Sequence, residues 1–178
     1  MLFRSERADA VLILGEDLTN TAPIMALAVR QTVRNASFDA AGSVGIPQWQ
    51  DAAVRDLAQD LLSPLFIAST GSTRLDDVAT GVYRAAPDEI ARLGFAVANR
   101  LDSSAPGVGD LAAAASDTVD EIAEALANAK RPLVISGTGC MTAAVLEAAS
   151  NIARALTSAG KALSVVVPDC NSMGLAMM

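Results

Sequence analysis

The chain has 178 residues and a net charge of −7, with 52% hydrophobic and 3% aromatic residues, no histidine and two cysteines. The acidic balance argues against nucleic acid as a partner, because phosphate binding needs a basic surface. The absence of histidine removes the commonest general base and metal ligand, and Cys140 and Cys170 alone fall short of a four-thiolate iron–sulfur or zinc site.

The length suits a single α/β domain over 1–178 with a core of Ala, Val, Leu and Ile. Val11-Leu12-Ile13-Leu14 is a short continuous apolar run ended by Gly15, the pattern of a strand covered on both faces. After Glu16-Asp17 a helix is expected, capped by Asn20 or Thr21, with Pro23 in its first turn. Its buried stripe is Ala22, Met25, Ala26, Val29 and Val33; Arg30 and Arg34 close it and Asn35 stops it. Residues 36–45 read as a loop. Pro47 introduces a helix to about Leu62, with Val54, Leu57, Ala58 and Leu61 on one face and Trp49 in its first turn, read first as a core or edge packing residue and alternatively as an interface anchor.

Residues 64–69 form the second strand, followed by a turn, Thr70-Gly71-Ser72-Thr73. Leu75 to Val82 is ambiguous between a short helix and an extended crossover. Pro87 with Asp88 and Glu89 starts a helix burying Ile90, Leu93, Val97 and Leu101. Asp102 to Asp110 is the most linker-like stretch, with the possible linker running over 102–115. Thr118 and Glu121 form a capping box for a helix ending at Lys130-Arg131. Leu133 to Ser136 is the third strand, 142–159 a helix stopped by Gly160, and Leu163 to Val167 the fourth strand. Alternating strands and helices predict right-handed crossovers and a Rossmann-like parallel sheet of about four strands with helices on both faces.

Such sheets bind ligands beyond the carboxyl ends of their strands. The turns Gly15–Thr21, Gly137–Thr142 and Asp169–Gly174 lie at those ends. Gly137 and Gly139 open a helix and offer backbone N–H groups to an anion, but Thr142 stands where a dinucleotide fingerprint needs its third glycine. Residues 158–160 supply no ribose-binding carboxylate. Glu16 and Asp17 crowd two negative charges into the first turn, opposing a phosphate there; as with Asp76-Asp77, paired acids at such places are first read as cap and turn residues. Cys140, beside a helix N-terminus, is placed for a depressed thiol pKa, without a base to use it.

Several of these stretches carry a resemblance. Gly15-Glu16-Asp17-Leu18-Thr19-Asn20-Thr21-Ala22-Pro23, Trp49 to Ala53, Thr73 to Ala79, Tyr83-Arg84-Ala85, Arg92 to Ala96, Arg131-Pro132-Leu133 and Asn171 to Leu175 together resemble the molybdopterin-oxidoreductase superfamily. More narrowly, the chain resembles the family of the large iron–sulfur subunit (the G subunit) of bacterial NADH:quinone oxidoreductase, respiratory complex I. Cofactor-bearing members of that superfamily hold a pterin dinucleotide near an Asp-Pro-Arg-like turn after the second strand. Here that turn is Ser69 to Arg74, so Gly15, Arg74, Gly137 and Gly139 are vestigial cofactor-binding candidates and no ligand is carried over.

The resemblance implies a structural and interaction domain without redox centres or metal. Iron–sulfur clusters are expected elsewhere in the parent subunit. Implied partners are the rest of that subunit and other subunits of the peripheral arm, on the cytoplasmic side of the bacterial inner membrane. No nucleic acid and no membrane insertion are expected: no apolar run spans a bilayer, and no signal segment opens the chain. Mean hydropathy of +0.36 and the apolar tail Leu175-Ala176-Met177-Met178 lead to an expectation of self-association in isolation and of a chain cut before its next element. An alternative is a small-molecule or nucleotide-binding Rossmann-like domain. Lys130 to Gly137 is similar to the middle domain of thiamine-diphosphate enzymes, which leaves the stretch around Glu16 unexplained.

Overall fold

A computed structural model of the chain describes residues 5–109, 113–156, 163–169 and 172–178. In chain order its elements are β1 (Ala10–Leu14), α1 (Leu18–Thr21), α2 (Pro23–Thr32), α3 (Asn35–Ser43), α4 (Asp51–Ala58), β2 (Leu65–Ser69) and β3 (Gly81–Arg84). There follow α5 (Pro87–Leu101), α6 (Ala113–Asn128), β4 (Pro132–Gly137), α7 (Ala143–Ala155), β5 (Leu163–Val166) and α8 (Ser172–Ala176). The strands form a parallel sheet in the order β3-β2-β1-β4-β5. The chain builds outward from β1 through β2 to β3, then returns to lay β4 on the other side of β1. That reversal opens a crevice at the carboxyl ends of β1 and β4.

The alternation of strand side chains sorts the core into two layers. Leu12, Leu14, Phe66, Ala68 and Val134 face α5, α6 and α7. Val11, Ile13, Leu65, Ile67 and Ile135 face Leu18 and the α2 stripe of Ala26, Val29 and Val33. Both sheet faces are covered, which is why β1, β2 and β4 read as unbroken apolar runs. Each fully buried Leu or Ile contributes about 1.5–3 kcal/mol of transfer free energy. Gly94 lets α5 approach closely: a Cβ there would stand 2.9 Å from both Ala148 Cβ and Leu14 Cδ2.

Several expectations are corrected. The sheet has a fifth strand: β3 closes the edge over Gly81–Arg84, and Leu75 to Val82 divides between a 3₁₀ turn at Asp76–Val78 and the start of that strand. The stretch expected as a loop over 36–45 is largely α3, so Asn35 begins a helix rather than ending one. Alanine-rich sequence favours the helix. Its start is tied down by Asn35 Nδ2 donating to the carbonyls of Glu6 and Ala8, and by Ser37 Oγ donating to Leu61 O at 2.6 Å.

The helix expected from Pro47 to Leu62 shrinks to α4, and Leu57 and Leu61 are exposed. Trp49 is not a packing residue; it lies before α4 and is 80% exposed. Thr118 and Glu121 fall inside α6, which starts at Ala113, so they form no capping box. Ahead of that helix, 102–109 is turns and coil. Gly160, residues 158–160, Asp110, Cys170 and Asn171 lie outside the described residues. Among the described residues no helix is long and apolar enough to cross a membrane.

Candidate functional site

The crevice at the carboxyl ends of the central strands is a cavity of about 300 Å³. Three turns line it: Gly15-Glu16-Asp17 after β1, Ser69 to Thr73 after β2, and Gly139-Cys140 after β4. Strand register sets them side by side, with Leu14 opposite Ala68 on one side and Ser136 on the other. Ser136 Oγ, buried, donates to Leu14 O at 2.9 Å and ties the ends of β1 and β4 together. Gly15 turns the chain with φ of +73°, its N–H donating to Ala68 O at 2.8 Å. A side chain there would also strike Val145 Cγ1 at 2.7 Å.

Glu16 decides the chemistry of this crevice. Its side chain is 4% exposed and folds back into the Gly137-Thr138-Gly139 turn, where Oε2 accepts from Gly139 N at 3.0 Å. A Cβ on Gly137 would lie 2.0 Å from the same Oε2, and one on Gly139 2.8 Å from Oε1. Both glycines are therefore needed to accommodate this carboxylate. A glycine turn opening α7 is a cradle for an anion, and here the anion is the protein's own.

Asp17 turns the other way. Its carboxylate caps α1, accepting from Thr19 N at 3.0 Å, from Thr19 Oγ1, and from Asn20 Nδ2 at 2.6 Å. The reading of Asp17 as a cap residue holds, with the cap on Asp17 itself in place of Asn20 or Thr21.

The other candidates separate. Arg74 is exposed and outside the cavity lining; its carbonyl accepts from Arg30 Nη1 at 3.2 Å. Asp77 pairs with Arg30. Asp76 is held by Thr73 and Arg84. Burial alone would raise its pKa, but hydrogen bonds from Thr73 N and Oγ1 and the Arg84 charge outweigh it and bring the carboxyl below its ordinary range. The second acidic pair is thus structural.

Cys140 Sγ donates to Gly15 O at 3.2 Å. Partial burial, and then the nearby Glu16 carboxylate, push its thiol pKa up. The expected depression is corrected: the Glu16 charge lies close enough to work against the α7 dipole.

The Gly139 N–H that faces this turn is already taken by the buried Glu16 carboxylate, and Arg74 does not line the cavity.

The sequence is similar along nearly its whole length to proteins of one kind. The NADH-quinone oxidoreductase G subunit of Pseudomonas fluorescens is 51% identical over 175 residues, 97% of this chain. The chain is a homologue of that stretch of the G subunit. The G subunit of Salmonella typhimurium is 43% identical over the same length, and that of Yersinia pestis 49% over 133 residues, 75% of the chain. The chain spans 19% of the length of the Pseudomonas and Salmonella proteins. No family model matches it. These relatives favour the complex I resemblance over the thiamine-diphosphate alternative.

The sequence singled out Glu16 as a charge opposing phosphate, but not as the occupant of the cradle. The available signal was a glutamate directly after the turn glycine of β1 together with a Gly-x-Gly after β4, two turns that a parallel β1–β4 pair makes neighbours.

Proposed function

We propose that the chain is a structural and interaction body of the large iron–sulfur (G-type) component of an NADH:quinone oxidoreductase, without a redox centre of its own. It supports electron transfer from NADH to quinone by packing against the rest of its subunit and its neighbours in the peripheral arm, on the cytoplasmic side of the inner membrane. The iron–sulfur clusters belong to other parts of that subunit. The carrying observation is the Glu16 carboxylate lodged at Gly137 and Gly139, where a nucleotide phosphate would otherwise sit. Two cysteines and no histidine in 178 residues support the same reading, since ordinary cluster sites use four such ligands.

The test is electron paramagnetic resonance of the intact, NADH-reduced complex carrying Cys140→Ala and Cys170→Ala together. Every cluster signal and the NADH:quinone rate are expected to match the unsubstituted complex. Loss of one cluster signal from assembled complex would place a ligand in this segment and contradict the proposal.

A further inference from the structure

The glycine cradle is filled, but the crevice in front of it is not electrically balanced. Glu16 and Asp17 line the cavity, and no arginine or lysine does. Neither carboxylate makes an ion pair among the described residues. The N-terminus of α7 sets about half a positive charge against these two negative ones, so the lining stays negative. Asp17 is committed to the α1 cap. Glu16 is committed only in part: Oε2 accepts from Gly139 N, while Oε1 has no donor among the described residues. No fully enclosed side-chain oxygen lacks a partner among those residues, so Oε1 opens on the cavity. A carboxylate 4% exposed, with no cation beside it, is costly to hold, and a cation placed against it offsets that cost.

The hydroxyls around it select the same ligand. Thr21, Ser69 and Thr73 line the cavity and donate their protons to the protein itself, to Asp17 O at 2.9 Å, Gly71 O at 2.7 Å and Asp76 Oδ1 at 2.8 Å. Each is left with a lone pair to offer. An ammonium group is the complement of such a wall, since it carries three donors and no acceptor. A guanidinium fork needs both oxygens of a carboxylate, and here Gly139 N already holds one. A divalent metal lacks its ligand set, because no three ligating acidic, thiol or imidazole side chains gather among the described residues.

We propose that the crevice binds a primary ammonium group, with Glu16 Oε1 as its anionic partner and the lining hydroxyl oxygens as its further acceptors. The volume of about 300 Å³ is roughly ten times a water's share of the liquid, room for the group and a short stem. Glu16 thereby has two roles: it closes the cradle to anions and opens the crevice to a cation.

The experiment is a nuclear magnetic resonance titration of the chain with ethylammonium chloride at neutral pH and constant ionic strength. It follows the Gly139 amide, which is bonded to the same carboxylate. A saturable shift at millimolar concentration is expected. Glu16→Gln keeps the side chain and removes its charge, and should weaken binding at least tenfold. Ser72→Lys should weaken it as much by filling the crevice with a tethered ammonium, at an exposed position where folding is not at stake. That second variant decides the matter if Glu16→Gln does not fold. Nα-acetyl-lysine amide carries the same group on a longer stem and distinguishes the sources. Tighter binding than ethylammonium assigns the crevice to a lysine side chain, weaker binding to a free small amine. Three results would each overturn the proposal: no saturable shift, the same shift from potassium or tetramethylammonium chloride, which bring charge without N–H donors, or unchanged affinity in the folded variants.

Discussion

Glu16 meets Gly139 N inside a crevice that is otherwise small and polar, so the cost of changing it follows from what is left behind. Glu16→Ala leaves the Gly139 N–H without its acceptor and should destabilise the fold by about 1–3 kcal/mol, the penalty for a buried donor left unpaired. Glu16→Gln keeps an acceptor in place and should cost less. Urea unfolding of both variants checks the order, and Gln as the worse substitution would contradict it. Cys140 reports on the same carboxylate. With its thiol pKa raised by burial and by Glu16, the folded state holds the thiol proton more tightly than the unfolded chain. The stability this contributes is complete below the unfolded pKa and is lost as pH rises through the raised one. Iodoacetamide should therefore alkylate Cys140 more slowly than free cysteine at mildly alkaline pH, and faster alkylation would count against this placement.

Among the elements, the β2–β3 crossover is stitched by Asp76, which accepts from Thr73 and pairs with Arg84 of β3. Because its pKa is depressed in the fold, its contribution is present above the ordinary carboxylate range and is lost as pH falls through the lowered value. Asp76→Asn should flatten the acid limb of the stability curve below about pH 4, the ordinary aspartate range; an unchanged acid limb would contradict it.

Two glycines make a contrasting pair. A Cβ at Gly137 would lie 2.6 Å from Val166 O as well as against Glu16, so Gly137→Ala must push β5 or the carboxylate aside. It is expected to destabilise by about 2–4 kcal/mol, the range of core overpacking and severe strain. Gly42, in α3 with nothing within 4 Å, should accept alanine at no cost or gain about 0.5–1 kcal/mol. Thermal melts should show a lowered midpoint for Gly137→Ala and an unchanged or raised one for Gly42→Ala.

The same elements show what was legible. β1, β2 and β4 are buried on both faces and announce themselves as apolar runs, whereas β3 is four residues long at the edge, half exposed, and gives no run to read. α3 was hidden because its buried side chains are only Ser37 and Ala41, so tertiary hydrogen bonds, not a stripe, fix it. The cleft turns were legible as turns. That Glu16 fills one of them depends on strand register, which a single sequence does not carry.

The molecule as a whole presents a glycine cradle that is self-satisfied and a surface that is not. At the carboxyl end of the sheet a carboxylate already occupies the glycine cradle, while around α4 the residues Trp49, Leu57, Leu61 and Leu62 stand exposed. Trp49 is the only tryptophan, so its fluorescence is a direct gauge. In the isolated chain it should emit at the wavelength of free tryptophan and be quenched freely by acrylamide; blue-shifted, protected emission would show that it is covered.

The central claim concerns the self-satisfied cradle, and energetics make it testable. Residual attraction of a helix N-terminus for an anion is worth about 0.3–1 kcal/mol, while even millimolar binding takes about 4 kcal/mol. Calorimetric titration of GDP and of NADH into the chain tests the claim most directly. No saturable heat is expected with either ligand, and a micromolar dissociation constant for either would show that the crevice is still a working nucleotide site and contradict it.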